Sequence, residues 1–62
     1  MADRIKTFLI EDGGPKTEIG KHPEKRDGEL FFYAGVRYRI RSASHFEYRR
    51  QREQELRVTR EG

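Results

Sequence analysis

Apolar and polar positions alternate along most of this chain with a period of two, the spacing of strands that turn one face inward. The clearest case is residues 36–42 (VRYRIRS), where Val36, Tyr38 and Ile40 share one face and Arg37, Arg39 and Arg41 the other. The preceding segment, 29–33 (ELFFY), is the most apolar; Leu30 and Phe32 share a face, and Phe31 and Tyr33 share the opposite one. Ala34-Gly35 joins the two as a hairpin. Alanine resists positive φ, so a type I turn with a left-handed Gly35 and a G1 bulge is expected rather than a two-residue type I′ loop. Residues 4–11 (RIKTFLIE) predict another strand, with Phe8 and Ile10 on one side and Leu9 on the other, stopped by Asp12-Gly13-Gly14-Pro15.

Two stretches are less regular. Residues 16–27 (KTEIGKHPEKRD) carry one aliphatic side chain, Ile19, interrupted by Gly20 and Pro23. That composition predicts a long, flexible polar loop over about 12–28. Beyond Ser42 the apolar residues keep to even positions, namely Phe46, Tyr48, Leu56 and Val58, which predicts strands near 45–50 and 55–60. Ser44 and Glu47 also match a capping box, so a helix over 44–54 is the alternative for that segment. Such a helix would align Phe46, Arg49, Arg50 and Glu53, a poor apolar stripe. The last few residues are expected to fray.

The expected fold class is therefore mainly β. It would be a small curled antiparallel sheet, or an SH3-like or OB-like small barrel, of four or five strands in a single domain. The run Gly35-x-x-Tyr38-x-Ile40 after an apolar strand is common in SH3-like barrels but identifies no family.

Length and composition change the functional picture more than the fold. With 62 residues and 32% hydrophobic side chains, the chain has little material to wall a deep catalytic cleft. There is no cysteine, which excludes disulfides and thiolate metal sites. No apolar run exceeds five residues and the N-terminus, Met1-Ala2-Asp3-Arg4, has no apolar leader core. A cytoplasmic protein without a membrane span is expected.

Catalytic and metal constellations fail on spacing. Gly13-Gly14-Pro15-Lys16-Thr17 superficially suggests a phosphate loop, but Pro15 sits where glycine is needed and has no N–H. His22 and His45 are the only histidines, 23 positions apart, and no cofactor or metal is expected. His22 is expected to be solvated and His45 to lie near the core edge. Ser44 and His45 are adjacent on a strand and would point to opposite faces. No enzyme role can be filled, and a non-catalytic binding module is the expectation.

Charge supplies the one strong signal. Residues 1–29 hold six Lys/Arg and seven Asp/Glu, whereas residues 30–62 hold eight Arg and four Glu. Arginine forms bidentate phosphate contacts and stacks on aromatic rings. Arg37, Arg39 and Arg41 project from one face; Arg49, Arg50 and Arg52 follow; Phe31 or Tyr33 could supply stacking surfaces if hairpin register puts them on that face. This pattern suits RNA or single-stranded DNA. The structural alternative is a solvated face balanced by Glu29, Glu47, Glu53 or Glu55. The functional alternative is a protein adaptor or regulatory module, with a mobile element as one source. It would dock an acidic partner or pair an edge strand, as a monomer or a homodimer. Facing carboxylates discriminate: an unpaired arginine face favours nucleic acid, an Arg–Glu lattice favours an adaptor.

Overall fold

The alternating segments become one continuous sheet. The computed structural model describes residues 4–61, arranged as β1 (Arg4–Glu11), β2 (Lys16–Pro23), β3 (Leu30–Tyr33), β4 (Val36–Tyr48) and β5 (Gln51–Arg60). No helix forms among the described residues. Segment 44–54 is thus strand, turn at Arg49-Arg50, and strand, and the helical alternative is set aside: pairing β4 with β5 buries Gln54, which the helical stripe would have left outside. The expectations about the N-terminus at Met1–Asp3 and about fraying at Gly62 fall on positions outside the described residues. Arg60 stays within β5, and the Glu61 N–H donates to the Arg37 carbonyl at 2.9 Å.

Strand order is β2-β1-β5-β4-β3. β1–β2, β3–β4 and β4–β5 are antiparallel, while β1–β5 is parallel. The sheet is therefore mixed, where a purely antiparallel one was expected. The cause is directional: β2 runs against β1, β4 runs against β5, and β3 lies parallel to β5. Four reversals return β5 to the direction of β1, so pairing the first strand with the last is necessarily parallel.

The sheet curls into a half-barrel around one concave face. Leu9, Phe31, Tyr38, Ile40, Leu56 and Val58 form the core, with Ile19, Tyr33, Val36 and Ala43 packed at its margin. Each fully buried aliphatic or aromatic side chain contributes about 1.5–3 kcal/mol. No ladder joins β2 to β3. The two edges meet through side chains instead: the His22 ring stands edge-on to Phe31 at 5.2 Å and to Tyr33 at 5.6 Å. His22, expected in solvent, is half-buried, with Nε2–H donating to the Ile19 carbonyl at 2.8 Å.

The expected loop over 12–28 is largely ordered. Residues 16–23 form β2, held to β1 by backbone pairing and not by apolar alternation. Its register shifts between the partners of Lys6 and Phe8, where Gly20 takes φ +84° and lets one extra residue into the strand. That bulge keeps both Ile19 and His22 on the inner side and conceals the strand from a period-two reading.

The following residues form a strap rather than a free loop. The Gly28 N–H donates to the Ile40 carbonyl, the Ile40 N–H to that of Glu29, and the Ala43 N–H to Asp27 Oδ1. Beneath the strap lies a buried polar cluster. Gln54 Oε1 accepts from the Lys25 N–H at 2.9 Å, and its Nε2 donates to Thr7 Oγ1 and the Pro23 carbonyl, each at 3.0 Å. Thr7 Oγ1 in turn donates to the Ile5 carbonyl at 2.9 Å. Thr7 and Gln54 are fully buried and fully satisfied.

Two details of β4 determine what faces outward. The Ala34-Gly35 turn has φ +51° and +76°, with Tyr33 opposite Val36. It is a two-residue type I′ turn, and the expected type I turn with a G1 bulge is corrected. The I′ twist matches the twist of the flanking strands and outweighs alanine's cost in the left-handed region. Further along, the register shifts between Ile40 and Ser42, so Arg41 is an extra residue. Ile40 faces inward opposite Val58, but beyond the bulge Ala43 faces inward opposite Leu56. The even-position phase read from the sequence therefore breaks at Arg41: Leu56 and Val58 point in, Phe46 and Tyr48 point out.

Candidate nucleic-acid interface

The outer face of β3 and β4 carries the arginine strip. Arg37, Arg39 and Arg41 are all exposed there, the first two by alternation across 36–40 and Arg41 as the bulged residue. Beyond the bulge Ser42 lies opposite Arg57, which brings a fourth guanidinium onto the same face. Arg41, Ser42, Arg57, Ile10 and Asp12 line a shallow cleft of about 300 Å³.

The two aromatic residues proposed from sequence do not join this face. Phe31 pairs with Tyr38 and Tyr33 with Val36, so both belong to the concave core. The two-residue turn fixes this register: it makes Tyr33 and Val36 opposite, and period two does the rest. Phe32 takes their place, opposite Arg37 and 66% exposed. The bulge adds Phe46, 48% exposed, and Tyr48, 64% exposed. All of the exposed large hydrophobic side chains among the described residues thus share the outer face with the arginines. Phe32 was legible in the sequence once a two-residue turn was assumed. Phe46 and Tyr48 were not, because nothing in the sequence signals the bulge.

Arg49 and Arg50 form the β4–β5 turn, with Tyr48 opposite Gln51. Their φ values are +50° and +67°, the left-handed region that type I′ turns normally give to Asn and Gly. The Arg49 guanidinium lies 5.5 Å from the Tyr48 ring centroid. Arg52, also noted in the sequence, points to the inner side and pairs with Glu24. The Arg52 hydrogen bond and charge hold the Glu24 carboxyl below its ordinary value, against a smaller opposing effect of desolvation.

Charge compensation divides the outer face in two. Over β5, β1 and β2 two lysines are paired: Lys16 Nζ lies 2.9 Å from Glu55 and Lys6 Nζ 3.9 Å from Glu18. Over β3 and β4 only Arg39 is engaged. Its Nη2 donates to Glu61 Oε1 at 2.9 Å and its Nη1 to the Gly28 carbonyl at 3.0 Å. This hydrogen-bonded pair lowers the Glu61 pKa and raises that of Arg39. Arg37, Arg41, Arg49, Arg50 and Arg57 have no carboxylate at ion-pair distance among the described residues. Such a surface can neutralise phosphates and stack bases.

Other chemistry finds little support in the arrangement. Ser44 and His45 lie on opposite faces, Ser44 beside Glu55 and His45 beside Gln54. His45, expected near the core edge, is exposed, and its Nε2–H donates to the Lys25 carbonyl at 2.8 Å. Among the described residues no three His, Cys, Asp or Glu side chains gather as a metal site. None forms a helix long and apolar enough to cross a membrane. Comparison with family models, with curated proteins and with solved structures found no match to this chain.

Proposed function

We propose that this protein is a non-catalytic module that binds RNA or single-stranded DNA across the outer face of β3 and β4. Arg37, Arg39, Arg41, Arg57, Arg49 and Arg50 would contact phosphates, and Phe32, Phe46 and Tyr48 would stack on bases. One observation carries this reading: five guanidiniums without a carboxylate at ion-pair distance among the described residues share a face with the exposed aromatic rings. Each stacked ring is worth about 1–3 kcal/mol, and each neutralised phosphate of a single strand adds about 0.7 to the salt slope of the affinity.

The test is an amide NMR titration with a short mixed-sequence oligonucleotide at about 50 and 200 mM salt. Shifts on Phe32, Arg37, Arg41, Phe46 and Tyr48 that fade at the higher salt support the proposal. An unchanged spectrum at both salts refutes it.

A second reading, strand addition by a partner protein, is favoured by the outer edge of β2, which no strand covers among the described residues. Lys16, Lys21 and Pro23 punctuate that edge in the way that discourages strand addition. Nucleic acid therefore stands first.

A further inference from the structure

A cavity of about 490 Å³ opens at the end of the sheet where β1 and β5 begin. Arg4, Lys6, Lys21, Arg50 and Arg52 line it, together with Glu18 as its one carboxylate. Lys6 is within 3.9 Å of Glu18, and Arg52 is taken by Glu24. Arg4, Lys21 and Arg50 have no carboxylate at ion-pair distance among the described residues. The cavity is thus strongly cationic, with Ile5 contributing apolar wall.

A second observation points the same way. Lys6 and Lys21 are direct cross-strand partners. Like charges directly opposite destabilise a sheet. The Gly20 bulge lies immediately beside this pair, and a Cβ built on Gly20 would meet nothing within 4 Å. Lys6 is offset by Glu18 and by Glu53 across β5, whereas Lys21 has no carboxylate at ion-pair distance among the described residues and stands beside open space, where an anion would supply its missing partner.

We propose that this cavity binds a phosphate monoester, with Lys6, Lys21 and Arg50 as its principal donors and Arg4 at its rim. Ammonium and guanidinium groups both form charge-assisted hydrogen bonds to phosphate oxygens, and a dianionic monoester draws on several of them at once. The site is separate from the aromatic strip and shares with it only Arg50. The phosphate could be the terminus of a nucleic acid strand or part of a free nucleotide.

The experiment compares 3′-labelled decathymidylate carrying a 5′-phosphate with its 5′-hydroxyl twin, by fluorescence anisotropy at low salt. Adenosine 5′-monophosphate is titrated in parallel by amide NMR. A preference of about tenfold for the phosphorylated strand, abolished by Lys21→Glu, supports the proposal with a strand terminus as the source. Shifts at Ile5, Gly20, Lys21 and Gln51 with the mononucleotide, without a preference between the strands, support it with a free nucleotide as the source. Equal affinity for both strands and no response to the mononucleotide overturn it. Binding of the hydroxyl strand at Phe32 and Arg37 would in that case leave the sheet-face proposal standing. Lys21→Glu replaces a repulsive pair by an attractive one and should fold at least as well as the native chain; should it not, Lys21→Gln gives the same comparison.

Discussion

Replacing Gln54 by leucine removes the side chain that ties the strap to the sheet while nearly conserving volume. Three hydrogen bonds disappear, to the Lys25 N–H, the Pro23 carbonyl and Thr7 Oγ1. Net contributions of about 1 kcal/mol each give roughly 3 kcal/mol, and leaving the strap's N–H and C=O short of partners adds to the cost. Leucine recovers part of this, because burying an apolar side chain there carries no polar desolvation. A loss of about 2–4 kcal/mol is expected. For 62 residues the whole stability is on the order of 3–9 kcal/mol. The variant should therefore unfold at a urea concentration lower by about 2 M or more, or fail to fold. Urea titration followed by far-ultraviolet circular dichroism measures it. Thr7→Val supplies the control: the double variant should fall short of additivity by about 1 kcal/mol, since both single changes remove the same bond. In the native protein the Lys25 amide should exchange slowly, although it lies in no strand. A cost below about 1 kcal/mol, additivity within error and fast exchange at Lys25 would together refute the view that Gln54 holds the strap.

Three further outcomes are expected. Replacing Arg49-Arg50 by Asn-Gly should raise stability by about 1–2 kcal/mol in thermal unfolding, because both residues now stand at positive φ, and it should weaken oligonucleotide binding; Ala34→Asn should stabilise the other hairpin turn in the same way without touching binding. Stability should fall on acidification. The Glu24 and Glu61 carboxyls are held below their ordinary value by Arg52 and Arg39, so their contribution is complete above about pH 4.3 and is lost as the pH drops through their lowered folded values. Urea midpoints measured from pH 6 to pH 2 should show that decline, less steep in Arg39→Gln and Arg52→Gln variants.

The parts of the fold that were legible in the sequence are those where period two runs unbroken. Residues 36–40 and the 30–33 run gave their faces directly, and the outward arginines followed from the same alternation. What escaped the reading escaped for two physical reasons. Bulges at Gly20 and Arg41 each add a residue and exchange the faces beyond them, and neither is marked by composition alone. β2 is held by its backbone and by a few inward contacts such as Ile19 and His22, so a polar, Gly- and Pro-containing stretch looked like a loop. The choice of stacking residues failed at a single turn. Refusing Ala34 a positive φ removed the two-residue connection that would have placed Phe32, not Phe31, beside Arg37.

The distribution of unfavourable features argues for where function lies. On the concave side every buried polar side chain among the described residues is satisfied. On the outer face the local costs accumulate at the end of the sheet that bears the β4–β5 turn. Two adjacent arginines adopt left-handed φ there, Lys6 faces Lys21, and Tyr48 lies open to solvent. The left-handed arginines cost of order 1 kcal/mol each in a fold whose margin is only a few. None is required by the topology, since Asn-Gly would make the same turn and a carboxylate at position 21 would make the same pairing. What these features have in common is that polyanion binding would relieve or use them. Phosphate would pair with the Lys21 ammonium, engage the turn's guanidiniums and bring a base over the exposed ring. An anionic ligand at this end of the sheet, as proposed above, would put both the strained turn and the surplus positive charge to use.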